Sequence, residues 1–219
     1  MARASMMIVL FYLMQYSGRG LLLEYGIVSA PWASFIVYAA LFLAGILLYG
    51  KHLVTEWSRF RKRKKKIWNF LLELVLWSLL SVAITVALYF TISGIFHVSI
   101  LPGGQSTVRQ TINMLPMIPA LLMIAVSLPF VQELTFREAI IGVSERTRKL
   151  RLFLASLLSV VAFLLIQVNN LWEICYYLPF AALVTAFYHR YDRNVWASAG
   201  LHIFYNIVTY LLIRLVPGL

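Results

Sequence analysis

The stretch FLLELVLWSLLSVAITVALYFTISGI, residues 70–95, is the part of the sequence that decides the fold class. It is apolar along its whole length apart from Glu73 and a few hydroxyl side chains. A helix needs about 20 such residues to cross the roughly 30 Å of hydrocarbon in a bilayer. We therefore interpret this stretch as a transmembrane helix.

Six further apolar stretches of similar character lie on either side of it. They cover residues 6–23, 32–49, 114–142, 152–167, 174–188 and 195–212. Ser17-Gly18-Arg19-Gly20 interrupts the first stretch, so it either crosses the membrane or only dips into it. Residues 114–142 exceed the length that a crossing requires, which predicts a tilted, broken or extended helix. We predict one all-α membrane domain over 1–219, a bundle of about seven transmembrane helices.

The composition agrees with a membrane protein and excludes other classes. The chain is 62% hydrophobic and only 12% charged, whereas a soluble domain has about 45–50% apolar and about 25% charged residues. A soluble enzyme and a disordered chain are thereby excluded. The single cysteine, Cys175, allows no internal disulfide.

The net charge of +11 is concentrated in short stretches between apolar runs. Eight of the Lys and Arg residues lie in 51–66 and four in 146–151, which indicates membrane topology rather than nucleic-acid binding. By the positive-inside rule, 51–66, 144–151 and 189–194 are cytoplasmic, with the N terminus inside and the C terminus outside.

One group of these cations is predicted to lie at the cytoplasmic membrane surface and to face anionic lipid. Its members are Arg59, Arg61, Lys62, Arg63, Lys64, Lys65 and Lys66. The alternative is that these charges only fix the topology.

Polar side chains inside the predicted spans are the natural candidates for function, because they are costly there. Glu133 and Arg137 are four residues apart on one helix, as are His202 and Asn206. Each pair has a structural alternative, a neutralising ion pair in the first case and a packed histidine in the second. Glu73 has no partner at helical spacing, and we interpret it as a structural or protonated carboxyl group.

Three short motifs resemble those of the CAAX protease and bacteriocin-processing (CPBP, or Abi) family. Gln132-Glu133-Leu134-Thr135-Phe136-Arg137 resembles the first motif, Glu-Glu-x-x-x-Arg. Phe163-Leu164-Leu165-Ile166-Gln167 stands at the second, Phe-x-x-x-His, and His202-Ile203-Phe204-Tyr205-Asn206 matches the third, His-x-x-x-Asn.

The resemblance covers about residues 129–209, so we predict a family-like core over about 114–212 and additional N-terminal helices over 6–96. It implies an intramembrane glutamic protease fold. In such proteins the first Glu of the first motif and the His of the second activate water. The His and Asn of the third motif stabilise the oxyanion, and the second Glu and the Arg support the helix.

This sequence has glutamine at both water-activating positions, Gln132 and Gln167. A glutamine amide donates and accepts hydrogen bonds but takes no proton near neutral pH. Glu133 is the nearest carboxylate that could substitute, since Glu138 lies more than a helical turn away.

Three functions remain open. The first is a non-catalytic scaffold or regulator that binds a membrane-anchored partner through its transmembrane helix. The resemblance implies a cell-envelope or peptidoglycan enzyme as client, because family members include Gram-positive envelope proteins, bacteriocin-immunity proteins and lysostaphin-resistance-like proteins. The second is an active protease with an altered site that uses Glu133 and His202. The third is a membrane protein that handles lipids or small molecules.

We expect no cofactor and no metal, because His52, His97, His189 and His202 have no ligand spacing among them. We expect the degenerate site to form one buried cavity within the membrane. Its residues are Gln132, Glu133, Arg137, Gln167, His202 and Asn206.

Overall fold

A computed structural model describes residues 2–63, 67–97, 103–144 and 148–215, without the side chains of 103–108. These residues form eight helices. They are α1 (Ala2–Glu24), α2 (Ala30–Lys62), α3 (Ile67–Phe96), α4 (Gly103–Met114), α5 (Met117–Ile141), α6 (Lys149–Gln167), α7 (Ile174–Arg190) and α8 (Val195–Leu215). All except α4 meet the length and hydropathy of a membrane span, with a short 3₁₀ turn at Leu171–Glu173 extending the span of α7. The prediction of an all-α, multi-pass membrane protein is confirmed.

Two predicted loops are largely helical. Helix α2 continues to Lys62, well into the predicted loop 51–66, because 51–62 has neither glycine nor proline and Arg59 forms an ion pair with Glu56 one turn earlier. The connection between the predicted spans 70–95 and 114–142 holds helix α4, whose Ile112 is buried against the bundle. Lys64, Lys65 and Lys66 of the basic group lie outside the described residues.

The interruption in the first span does not break the helix. Met14–Gly18 forms a π-helical turn, and the chain continues without a gap as an α-helix over Arg19–Glu24. A π turn accommodates an extra residue while the backbone stays hydrogen-bonded. The first span is therefore one helix of 23 residues.

Helix α5 is the central helix of the bundle. Of the residues in its most apolar segment of 18 residues, 56% are buried, whereas the corresponding share in α6 is 17%. It alternates between α and π geometry, with π stretches at Leu122–Ser127 and Glu133–Ile141. Pro119 and Pro129 lack the amide N–H that a regular α-helix would use, which disturbs the hydrogen-bond pattern. The predicted irregularity of this span is confirmed, and both π stretches carry residues of the candidate site.

The ends of several helices meet on one side of the bundle. Arg63, after α2, pairs with Asp192 between α7 and α8, and Arg3 in the first turn of α1 lies 5.3 Å from the ring centroid of Tyr49. The N terminus and the basic connections thus share one face. Its assignment to the cytoplasm remains a prediction from charge.

The turn between α7 and α8 has an unusual backbone. Asp192 and Arg193 have φ of 53° and 61°, in the left-handed region that non-glycine residues adopt at a cost. The Arg193 guanidinium offsets that cost by donating to the carbonyl oxygens of Ile141 at 3.2 Å and Ser144 at 2.7 Å. These bonds attach the turn to the end of α5.

Asn194 fixes the start of α8. Its side-chain oxygen accepts from the N–H of Trp196 at 3.1 Å, as a helix cap does. Its Nδ2 donates to the backbone carbonyl of Glu56 at 2.8 Å, while Trp196 Nε1 donates to the carbonyl of Leu53 at 2.9 Å. These contacts lock α8 against α2 and set the position of His202 two turns later.

Glu73 finds its partners outside its own helix. Arg190 donates to it at 3.1 and 3.2 Å, and the hydroxyl of Tyr191 donates at 2.8 Å. Burial, followed by the hydrogen bond to Glu73, raises the pKa of Tyr191. The partners come from the far end of α7, so helical spacing around Glu73 gives no sign of them.

Candidate intramembrane site

The centre of the candidate site is a buried triad of charged and polar side chains on α5 and α8. Arg137 Nη1 lies 3.3 Å from Glu133 Oε1, and His202 Nδ1 lies 2.9 Å from the same oxygen. Glu133 and Arg137 are 0% exposed and His202 is 3% exposed. Each of these buried charges needs the other, because removing one partner leaves the remaining charge uncompensated.

Arg137 also joins α5 to the neighbouring helices. Its Nη2 donates to the backbone carbonyl of Ala181 in α7 at 3.2 Å. Its guanidinium carbon lies 4.8 Å from the ring centroid of Phe163 in α6, a cation–π contact. Phe163, the aromatic residue of the second motif, therefore packs at the centre of the site.

A cavity of about 160 Å³ adjoins the triad between α5, α6, α7 and α8. Gln167, His202 and Asn206 line it together with Tyr176, Tyr177 and Tyr205. Asn206 Nδ2 donates to the carbonyl of Ile124, in the first π stretch of α5, at 2.9 Å. One amide hydrogen of Asn206 is thus committed to holding two helices together.

The six predicted residues do not all line one cavity. They form two adjoining sets. Gln132, Glu133 and Arg137 are not among the residues that line the cavity, and His202 belongs to both sets because it bonds Glu133 and lines the cavity. Gln132 is 1% exposed, and its Oε1 finds no donor among the described residues. Glu133 Oε2, Arg137 Nε and Arg137 Nη1 likewise find no hydrogen-bond partner among the described residues.

The sequence reasoning missed a second buried cluster, around Glu138. His52 Nε2 of α2 lies 2.7 Å from Glu138 Oε1, and the hydroxyl of Tyr188 in α7 donates to Glu138 Oε2 at 2.9 Å. The three residues come from three helices, so no spacing in the sequence links them. The available signal was the charge of Glu138 itself, since a carboxylate within a membrane span needs a partner.

Among the described residues, no group of three or more His, Cys, Asp and Glu side chains is arranged to hold a metal ion. The site therefore consists of one carboxylate neutralised by arginine, one histidine bound to that carboxylate, and three side-chain amides. Of these groups, only His202 can exchange a proton near neutral pH while lining a cavity.

The comparison with protein families agrees with this geometry. Residues 114–208 match the family model described as Rce1-like, Type II CAAX prenyl endopeptidase Rce1-like. No curated protein and no solved structure matches the chain. The family match over residues 114–208 confirms the predicted resemblance to the CPBP family. This segment contains all six residues of the candidate site.

Proposed function

We propose that the protein is a non-catalytic member of its family, a membrane scaffold or regulator that binds a membrane-anchored partner. The observation that carries the proposal is the state of Glu133, the carboxylate next to Gln132. Arg137 and His202 both contact its Oε1, and no part of Glu133 is exposed. A carboxylate held in this way is poorly suited to activate water.

The other family positions support the same proposal. Gln132 and Gln167 stand where the motifs place the water-activating Glu and His, and neither amide takes a proton near neutral pH. General acid–base catalysis contributes about 10²–10⁴-fold in rate, so losing both groups removes most of the chemistry. Asn206, at an oxyanion-stabilising position, donates to a helix carbonyl.

A family fold kept without its proton-transfer groups suits a binding role. The partner would be a protein anchored in the same membrane, and the family resemblance favours an enzyme of the cell envelope or of peptidoglycan metabolism. In lipid, helices associate by close packing and interhelical hydrogen bonds, so the partner would dock through its own transmembrane helix.

A conservative replacement of His202 tests this proposal in cells. His202→Gln keeps a group that can hydrogen-bond Glu133 but cannot shuttle a proton. A strain lacking the gene should regain its wild-type phenotype with His202→Gln as fully as with the unaltered chain. Equal membrane abundance of the two proteins is the control. Loss of complementation by an abundant, folded His202→Gln protein would contradict a scaffold role.

The second candidate is a protease with an altered site. The observation in its favour is that His202 joins Glu133 to the cavity. If His202 Nδ1 donates its hydrogen to Glu133, Nε2 is left as a base, as in a carboxylate–histidine pair. This candidate requires that a purified wild-type protein cleaves a prenylated or leader-type peptide and that His202→Gln does not.

A further inference from the structure

A long apolar groove lies on the outside of the bundle, away from the candidate site. It has a volume of about 550 Å³ and is bordered by α2, α5 and α8. Its lining includes Phe42, Gly50, Trp57, Phe130, Trp196 and Ile203. Because these helices meet the criteria of membrane spans, the part of the groove along residues 42–50 opens towards the hydrocarbon of the bilayer.

Gly50 at the middle of the groove serves no packing need within the described chain. A Cβ atom placed on Gly50 would have no atom within 4 Å, whereas one on Gly45 would lie 2.8 Å from the side chain of Leu134. Gly45 is therefore required by the packing of α2 against α5. The absence of a side chain at Gly50 leaves this part of the groove open, so another helix can approach α2 closely there.

The length of the groove distinguishes between a lipid chain and a helix. Its lining residues on α2 run from Phe42 to Trp57, which is about 22 Å along the helix axis. Three of the lining residues, Leu53, Val54 and Trp57, belong to the segment 51–66 that is predicted to lie outside the hydrocarbon. An acyl chain from one leaflet would leave part of the groove unfilled, whereas a transmembrane helix passes along all of it.

A cationic side chain, Arg61, lies just beyond one end of the groove, on the side of the bundle where the basic connections meet. Arg61 lies one turn beyond Trp57 on α2 and is exposed. Its neighbours Arg59 and Arg63 pair with Glu56 and Asp192, but Arg61 has no ion-pair partner among the residues that the structure describes. The charge at this end is therefore complementary to an acidic group.

We propose that this groove binds one transmembrane helix of a partner protein. That helix packs a small or flat apolar face against Gly50 and carries an acidic residue at the end that meets Arg61. The proposal rests on the scaffold function and adds to it the surface used and the chemistry of the partner.

Site-specific photo-crosslinking from Val54 tests this inference. Val54 lines the groove and is 68% exposed, so a photoreactive residue there contacts any occupant without disturbing the interior. The full chain is irradiated in its native membranes, and the peptide attached to it is sequenced. A parallel sample in vesicles of phosphatidylcholine and phosphatidylglycerol shows which adducts lipid alone produces.

Two matched glycine replacements decide whether the adduct depends on the groove. Gly50→Leu fills the groove without an internal clash. Gly94→Leu makes the same change on α3, where a Cβ also has no atom within 4 Å. We expect the adduct to be a transmembrane segment of another protein with an acidic residue at one end. Its yield should fall at least tenfold in Gly50→Leu and stay unchanged in Gly94→Leu.

Several results would overturn the groove assignment. They are adducts with phospholipid alone, adducts with a second copy of this chain, no adduct, or a helix adduct that Gly50→Leu leaves intact. A different measurement tests the scaffold function. Peptide cleavage by the wild type that His202→Gln abolishes would refute it. A lipid adduct on an inactive protein would refute the groove alone, and a helix adduct on an active protease would refute the scaffold alone.

Discussion

Glu133 and Glu138 lie five residues apart on α5, and each has a histidine nitrogen from another helix close to it, at 2.9 Å and 2.7 Å respectively, yet their surroundings differ. Glu133 is fully buried and has both Arg137 and His202 against it. The side chain of Glu138 is 8% exposed, and its histidine, His52, is 21% exposed. Glu138 has the Tyr188 hydroxyl as its other donor rather than an arginine.

The difference shows how the position of a carboxylate along one helix determines whether its partner must carry a positive charge. Glu133 is remote from water, so a full positive charge must accompany it into the bundle. Glu138 is one residue beyond Arg137 and four before Gly142, near the end of α5, where a partly exposed histidine and a phenol are sufficient. A glutamate next to a histidine is therefore accompanied by an arginine in one place and by a tyrosine hydroxyl in the other.

Arg137→Met should have the largest effect on stability, because it leaves the Glu133 carboxylate buried without its cation. Breaking a buried ion pair by removing one partner costs about 3–5 kcal/mol. We expect that loss in the free energy of unfolding of the purified protein in detergent. Adding Glu133→Gln to Arg137→Met removes the stranded charge and should recover part of it. A double variant no more stable than Arg137→Met would show that Glu133 is not the charge at stake.

Glu138→Gln should destabilise the protein less. The amide keeps one acceptor for Tyr188 or His52, so the expected loss is one hydrogen bond to a charged group, about 1.5–3 kcal/mol. Thermal unfolding of this variant beside Glu24→Gln, an exposed carboxylate at the end of α1, provides the matched comparison. A loss as large as that of Arg137→Met would remove the distinction between the two clusters.

Tyr191→Phe should have the smallest effect, because it deletes one hydroxyl bond to Glu73, worth about 1 kcal/mol. The folded-state pKa of Tyr191 is raised, so its contribution to stability is present below the ordinary tyrosine pKa of about 10 and is lost as the pH rises above it. Unfolding measured at pH 9 and pH 11 should therefore show a smaller decrease for Tyr191→Phe than for the wild type. Equal decreases would contradict the raised pKa.

The sequence was sufficient for what depends on composition and on spacing within one helix. Long apolar runs predicted the seven spans, and the four-residue spacing of Glu133 and Arg137 predicted that they share a helix face. The irregularity of the span 114–142 was also predicted, since its length exceeds that of a crossing.

Contacts between distant helices could not be predicted in the same way. The bond between Glu133 and His202 joins residues 69 positions apart, and the bonds from Arg190 to Glu73 span 117 positions. Which helices become neighbours depends on the packing of the whole bundle. The spacing of residues in the sequence therefore could not predict the partners of Glu73 and Glu138. The cavity beside His202 likewise depends on the bends of α5, whose π stretches no local pattern specified.

The central claim is that the ion pair with Arg137 and the hydrogen bond with His202 commit Glu133, and that Gln132 and Gln167 provide no proton acceptor in its place. The most direct measurement is turnover of fluorogenic prenylated and leader-type peptides by the purified wild-type protein in lipid nanodiscs, with His202→Gln in parallel. The account predicts no cleavage above the His202→Gln background over hours. Reproducible turnover by the wild type, absent from an equally folded His202→Gln protein, would contradict it and identify His202 as a catalytic base.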